Sequence, residues 1–265
     1  LISLLILIGL TLNGSKLNRI ATNFGLRMET KEWLGLSSMT TALNNIFFKA
    51  GSIATSNYLK KKYNFSYSSF AGTFLGDQFV ILLIAAFIGG IVSLYLGLTN
   101  YQELLLVFLG FALVITLLFF LMRGGIRLPQ GKNRVFDLLK NSTYSFNTIL
   151  KDKNLLYSLG IHNSFLIITI GFRLYATCSI LHMETPLSHS LLFAVVIVFA
   201  RIIPITYNDI GFRELVVGFF SGILGSGLKL GVLSTAVDRI FELLWSALCT
   251  VIFRSALTRS RELSN

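Results

Sequence analysis

Apolar runs long enough to cross a lipid bilayer constrain the fold of this chain more than any other feature. Four such runs cover residues 79–98, 104–122, 155–181 and 230–253. A helix of about 20 residues spans the roughly 30 Å hydrocarbon core of a bilayer. Charged residues make up 13% of the chain, whereas a soluble globular domain carries about 25%. The sequence therefore predicts an all-α, polytopic membrane bundle with at least four crossings.

Residues 1–12 are also apolar, but a helix of this length would measure only about 18 Å. The run is preceded by neither the basic start nor the small-residue cleavage site of a signal peptide. We interpret it as a truncated span and expect further helices upstream of it.

Basic residues cluster in three regions, 16–62, 123–153 and 254–261, whereas the short connector 99–102 has none. Because basic loops stay cytoplasmic, we predict a multi-pass cell-membrane protein with these regions and the C-terminus inside. The net charge of +11 is then mostly a property of one membrane face, and it favours anionic lipid as a partner. No aromatic and basic groove indicates a nucleic-acid partner.

The second basic region contains a predicted amphipathic helix. Its apolar residues recur at helical spacing, namely Val135, Leu138, Leu139, Phe146, Ile149 and Leu150. This helix would join a first half, about 1–122, to a second half, about 155–258, within a single transmembrane domain. It could lie on the inner membrane surface or pack as a connector on the spans, and the sequence favours neither.

Two further stretches, 39–59 and 188–224, are hydrophobic but poorly suited to crossing because polar residues interrupt them. Irregular backbone at membrane depth survives only where protein or a wet cavity shelters it, so we predict re-entrant or broken helices. Each stretch precedes a long apolar run with an acidic residue, Asp77 or Asp238. This recurrence favours two inverted repeats, a common transporter design.

The segment 201–214 is the predicted working site, because Pro204 and Gly211 break it while charges accumulate around them. Guanidinium groups bind phosphate with a fixed two-pronged geometry, and helix starts near Gly211 would add backbone N–H donors. The predicted cations are Arg201, Arg213 and Arg239, and the balancing carboxylates are Glu214, Asp238 and Glu242.

An alternative is that these charges only pair with one another. Arg173 and Asp209 bring the set to four of each sign. Buried charges are expensive in a span, at about 2.5 to 3.5 kcal/mol each on insertion scales, which favours function, and both readings can hold together. Asp77, near the start of its run, is expected to be solvated at the interface.

A family resemblance is carried by residues 203–214, which are similar to an Ile-Pro-x-x-Pro-Gly-Gly-x-Gly-x-Arg-Glu signature. That signature belongs to the lysylphosphatidylglycerol synthetase transmembrane region, also called the flippase-like domain. Arg239 falls where this family has an Arg in its last helix, and residues 45–51 resemble its Asn-x-x-Pro-x-Arg-Ala-Gly element. The chain departs from the signatures at 207–209, where Pro-Gly-Gly is replaced, and at Phe47 and Lys49.

The resemblance implies a membrane protein that moves or presents an anionic lipid, either phosphorylated or aminoacylated, with a lipid-modifying enzyme as a potential partner. It adds Asn45, Lys49, Pro204 and Thr206 to the predicted lipid-binding residues. Some relatives carry an aminoacyl-transferase domain after the membrane part, but this chain stops at Asn265, so we do not predict aminoacyl transfer.

Two other functions remain open, a membrane-embedded transferase acting on a lipid carrier and a secondary transporter of a small solute. His162, His182 and His189 do not form a metal-binding pattern, and no Ser, His and Asp grouping stands out. We therefore predict no catalytic residue, metal or cofactor.

Overall fold

The computed structural model describes residues 1–47, 49–99, 101–124, 134–201 and 211–258, and every regular element in these ranges is an α-helix. The helices are α1 (Ile2–Asn23), α2 (Thr30–Ile46), α3 (Ala50–Tyr63), α4 (Tyr67–Thr99), α5 (Leu104–Gly124), α6 (Arg134–Lys151), α7 (Lys153–Ile180), α8 (Leu187–Ala200), α9 (Phe212–Ile223), α10 (Leu228–Ile252) and α11 (Arg254–Thr258). The predicted all-α bundle is confirmed.

Helices α4, α5, α7 and α10 coincide with the four predicted apolar runs, although α4 begins at Tyr67 rather than near residue 79. By length and composition, α4 and α7 are suited to crossing a membrane. Helix α10 is long enough, but Asp238, Arg239 and Glu242 lie within it. Four crossings therefore stays a prediction, and α10 can cross only if the bundle shelters these charges.

Helix α1 extends beyond the apolar run of residues 1–12 and continues to Asn23. Its polar second half is accommodated by other helices. The ammonium group of Lys16 lies 2.8 Å from the Asp77 carboxylate on α4 and donates to the Asn163 side chain on α7 at 3.0 Å. A charge that is paired in this way can be buried within the bundle.

The outward faces of the long helices are apolar. Leu98, Leu106 and Leu113 are 72%, 73% and 72% exposed, respectively. Continuous exposed apolar surface of this kind is typical of contact with lipid. By contrast, α8 is buried around most of its circumference because it packs between α4 and α7, as expected of a helix that is apolar on all sides.

The two stretches predicted to re-enter both form helical hairpins, α2 with α3 and α8 with α9. Helices α8 and α9 have 14 and 12 residues, about 21 and 18 Å, which is too short to cross the hydrocarbon core. In the first hairpin the backbones touch, because a Cβ at residue 51 would overlap the main chain of Thr40. Only glycine allows this approach.

Each hairpin packs on the long charged helix of the opposite half, α2 on α10 and α8 on α4, while α1 packs on α7. The ends of α4 and α7 and the start of α10 line the same pocket, so α10 runs opposite to α4. This exchange of partners supports the hypothesis of two inverted repeats, α1–α4 and α7–α10. The relationship between the two halves stays a prediction.

Helix α6 packs along α4, where Gly72 and Gly76 receive Ser142 and Ile149. Its other side is open, with Leu138 and Leu139 about half exposed at 54% and 46%. The face of α6 that packs on α4 agrees with the prediction of a connector helix packed on the spans. The opposite, apolar face of α6 remains available for contact with the membrane surface.

Candidate functional site

A cavity of about 340 Å³ lies in the bundle where the end of α2 and the start of α3 meet the end of α8 and the start of α9. Its volume falls in the range of roughly 300 to 1,000 Å³ that is common for small-molecule sites. Both halves of the chain contribute charged or amide side chains to its wall, among them Lys16, Asn45, Lys49, Arg173, Arg201 and Arg213. The helix ends of both hairpins therefore converge on one polar space inside a largely apolar bundle.

Asp238 is the centre of the charged cluster beside this cavity, and it is fully buried. Its Oδ2 atom accepts hydrogen bonds from Arg173 on α7 and Arg213 on α9, each at 2.8 Å. The Nε atom of Arg213 is buried and makes no hydrogen bond within the described part of the chain. Three helices are joined at a single carboxylate, and one guanidinium has donor capacity left over.

Glu242 lies one turn beyond Asp238 on the same face of α10, as the four-residue spacing predicts. Its carboxylate is 2.9 Å from Arg173, 3.7 Å from Arg201 and 3.8 Å from Arg213. The Arg201 side chain is 41% exposed, whereas those of Arg173 and Arg213 are 4% and 1% exposed. Among these three guanidinium groups, Arg201 is the most accessible to a ligand.

Glu214 joins the start of α9 to α10. One oxygen accepts the backbone N–H of Gly211 at 2.8 Å, and the other accepts from Arg239 at 3.1 Å. A glutamate at the third position of a helix commonly satisfies the N–H just before it. Gly211 has φ 83°, a left-handed conformation that favours glycine. The Gly-x-Arg-Glu spacing therefore sets the helix start and the ion pair together.

The first-half residues of the predicted site also line the cavity. The side-chain amide of Asn45 donates to the Thr41 carbonyl of its own helix at 3.1 Å. Lys49 is at the turn with φ 52°, and its ammonium group lies 5.9 Å from the centre of the Phe74 ring. Asn44, which was not among the predicted binding residues, accepts the N–H of Gly51 at 2.9 Å and joins the two helices of the hairpin.

The expectation that Asp77 is solvated at the interface is wrong. Asp77 is 8% exposed, and besides its ion pair with Lys16 it accepts from Asn163 at 3.3 Å. The burial of Asp77 follows from α4 starting earlier than expected, which places this residue a third of the way along the helix. The α1–α4 ion pair has a counterpart between α7 and α10, Arg173 with Asp238.

The open end of the first hairpin is held by a further buried carboxylate that the sequence did not reveal, Glu32. It accepts from Tyr58 at 2.9 Å, Lys62 at 2.9 Å and Tyr63 at 2.8 Å. Burial lowers the pKa of Lys62, but the hydrogen bond and charge of Glu32 outweigh it and the pKa is raised. Burial and Glu32 also raise the pKa of the Tyr63 phenol. This cluster lies in the basic region outside the long apolar helices.

Most of the predicted binding residues thus come together at one place. Pro204 and Thr206, together with residues 207–209, lie outside the described residues. The binding role of the set stays a prediction. The predicted binding residues did not include Arg173 and Lys16, because only the fold reveals which helices pack beside α7 and α1.

These features define a class of protein, a helical membrane protein with hairpins that meet at an ion-paired cavity. A family model described as the lysylphosphatidylglycerol synthase TM region matches residues 1–249. The chain therefore belongs to this family, and it is a membrane protein with a role related to lipid. Comparisons with curated proteins and with solved structures gave no match.

Proposed function

We propose that this protein is flippase-like: it binds the phosphate of an anionic lipid in the arginine-lined cavity and moves or presents the headgroup across the bilayer. The observation that carries the proposal is the convergence of arginines from α7, α9, α10 and the end of α8 on one sheltered cavity. The lipid would be a phospholipid or its aminoacylated form, made by a separate lipid-modifying enzyme.

The charge of the cluster suits a phosphate. In the part of the chain that the structure describes, four arginines meet three carboxylates, Glu214, Asp238 and Glu242. Guanidinium groups hold phosphate oxygens in the same two-pronged way as carboxylate oxygens. A phosphate can therefore replace a resident carboxylate, so the arginines never become unpaired charges in a low-dielectric site.

Internal pairing and lipid binding are thus compatible. The pairs balance three of the four arginine charges while the cavity holds no lipid, which lowers the cost of burying charge. A lipid crosses a bilayer slowly because its headgroup must leave water, whereas its tails remain in hydrocarbon throughout. A polar cavity at membrane depth removes the largest part of this barrier. We propose that the basic loops lie on the cytoplasmic side, where anionic lipid would gather.

The test compares two arginine variants in vesicles that contain fluorescent phosphatidylglycerol. Arg201→Gln removes the accessible guanidinium, whose described contact is a 3.7 Å approach to Glu242, so it should leave the fold intact. Arg254→Gln on α11 removes an exposed arginine that does not line the cavity and serves as the matched control. Transbilayer movement is measured by quenching the fluorescence of the labelled lipid in the outer leaflet.

We expect the wild type and Arg254→Gln to move phosphatidylglycerol faster than empty vesicles, with Arg201→Gln slower by about tenfold, the effect of losing one charged hydrogen bond of roughly 1.4 kcal/mol. Rates equal to empty vesicles in all proteins would refute lipid movement. Uptake of labelled inorganic phosphate without lipid movement would instead support the solute-transporter alternative.

A further inference from the structure

The arginine-lined cavity has a wall of different chemistry from each half of the chain. The second half lines it with charged groups, chiefly the guanidinium groups of Arg173, Arg201 and Arg213. With the exception of Thr169, whose hydroxyl donates to the Phe165 carbonyl of its own helix, the uncharged polar side chains in the described wall belong to the first half. A ligand in the cavity therefore meets arginines from one half and amides and hydroxyls from the other.

The polar side chains of the first-half wall come from four helices. Asn13 is on α1, Thr41 and Asn44 are on α2, Ser52 is on α3 and Gln78 is on α4, and all of them are partly buried. An amide side chain offers N–H donors and a C=O acceptor, and a hydroxyl can both donate and accept. Such a wall is suited to hydrogen bonding with several hydroxyl groups of one ligand.

Two asparagines at the end of α2 are already held in place by bonds to the backbone. Oδ1 of Asn44 accepts the Gly51 N–H at 2.9 Å, and the side-chain amide of Asn45 donates to the Thr41 carbonyl at 3.1 Å. These bonds do not use the amide N–H groups of Asn44 or the amide oxygen of Asn45. A ligand that contacts those groups meets side chains whose orientation is already fixed, which lowers the entropy cost of binding.

Basic groups outnumber acidic groups around the cavity. The basic residues that line it are Lys16, Lys49, Arg173, Arg201, Arg213 and Arg239. The carboxylates in or next to the described wall are Asp77, Glu214, Asp238 and Glu242, and each contacts one of these cations. Even if Asp209, which lies outside the described residues, is added to this set, the basic groups remain in excess.

This excess of positive charge favours a phosphate and opposes an ammonium group on the same ligand. A phosphate lowers the net charge of the site and accepts hydrogen bonds from guanidinium groups. An ammonium group raises the net charge, and it gains a carboxylate only by drawing it away from a basic side chain, which leaves that buried cation unpaired. Such a mismatch rejects a ligand even where its shape fits.

We propose that the cavity selects a phospholipid whose phosphate carries an uncharged headgroup with several hydroxyl groups, such as glycerol or a sugar, and that it discriminates against amine headgroups. The inference rests on the proposed function and chooses between its two forms of lipid, because an aminoacyl group would bring an ammonium group into the cavity. The arginines of the second half bind the phosphate, and the amides and hydroxyls of α1 to α4 bind the headgroup hydroxyls.

The experiment compares lipids that carry the same fluorescent acyl chain, in vesicles that contain the protein. Phosphatidylglycerol has a glycerol headgroup. Phosphatidylpropanol has the same charge and carbon chain but lacks the hydroxyl groups, and phosphatidylethanolamine carries an ammonium group. Transbilayer movement of each lipid is measured by quenching the fluorescence of the outer leaflet, and the rate in empty vesicles is subtracted.

Two variants each change one property of the cavity, and each has a matched control. Lys49→Gln removes a cation at the turn between α2 and α3, whereas Lys61→Gln removes an exposed lysine of α3 that does not line the cavity. Thr41→Val removes a hydroxyl from the first-half wall, whereas Thr116→Val removes an exposed hydroxyl of α5 that donates to the Ala112 carbonyl. The readout is the ratio of the rates of two lipids in the same protein, because this ratio does not depend on the amount of folded protein.

For the wild type and both controls we expect phosphatidylglycerol to move about tenfold faster than either comparison lipid. Lys49→Gln should lower the ratio of phosphatidylglycerol to phosphatidylethanolamine, and Thr41→Val should lower the ratio of phosphatidylglycerol to phosphatidylpropanol. Movement of either comparison lipid as fast as phosphatidylglycerol, or variant ratios equal to those of the controls, would overturn the headgroup preference and leave the proposed function intact. Absence of phosphatidylglycerol movement in the wild type would overturn the proposed function as well.

Discussion

Replacing Lys16 by methionine tests whether the first half depends on its own buried ion pair. In Lys16→Met the Asp77 carboxylate, 11% exposed as a side chain, loses its cation and keeps the 3.3 Å hydrogen bond from Asn163. Removing one partner of a buried pair costs about 3 to 5 kcal/mol. The remaining hydrogen bond to the charged carboxylate contributes about 1.5 kcal/mol or more. We therefore expect the free energy of unfolding to fall by about 3 kcal/mol, the lower end of the range for a broken buried pair.

The loss of stability is measured as the change in the free energy of unfolding in bicelles. Two tagged sites each bind a bulky ligand, and both ligands can bind at once only when the protein is unfolded, so their binding reports the unfolded fraction. Lys61→Met is the matched control, because Lys61 is exposed on α3 and its loss should change stability by less than about 0.5 kcal/mol. The double variant Lys16→Met with Asp77→Leu removes both charges and should recover most of the stability, as replaced buried pairs often do.

Two results would refute this reasoning. If Lys16→Met were as stable as Lys61→Met, the ammonium group would not be neutralising a buried carboxylate. If the double variant lost the sum of the two single losses, the two residues would act independently rather than as a pair.

Gly51→Ala should destabilise the first hairpin by about 1 to 3 kcal/mol or more, because its Cβ would overlap the Thr40 main chain. Gly110→Ala on α5 is the control, because no atom lies within 4 Å of the added Cβ, and it should be neutral or slightly stabilising. Equal thermal unfolding temperatures for the two variants would contradict the packing of the hairpin. Stability should fall as the pH rises above about 10, because the pKa values of Lys62 and Tyr63 are raised in the fold and the folded state then binds more protons than the unfolded state. Glu32→Gln should weaken this alkaline dependence, and an unchanged pH profile would show that Glu32 is not its cause.

The long helices were predictable because their apolar runs are read directly from the sequence. The early start of α4 was not, because Ser68, Thr73 and Asp77 look like connector residues. The structure shows why they are helical: all three are buried, and α4 packs on α6 and α7. Local sequence does not reveal such burial, which arises from helices distant in the chain.

The second-half cluster was predictable in part, because its charges fall in one motif and on one face of α10. The partners of Arg173 and of Asp77 were not predicted, for a physical reason. The partner of each charge depends on which helix packs beside its own. The packing of α1, α4 and α10 on α7 supplies those neighbours.

The central claim is that a lipid phosphate binds among the cavity arginines, and photo-crosslinking tests it most directly. Phosphatidylglycerol with a photoreactive group next to the phosphate is added to the protein in vesicles, and the adducts are mapped by mass spectrometry. We expect adducts on cavity-lining residues of α7, α9 and α10, reduced by excess unlabelled phosphatidylglycerol but not by inorganic phosphate, and weaker in Arg201→Gln than in Arg254→Gln. Adducts confined to the exposed apolar faces of α4 and α5 would contradict the claim.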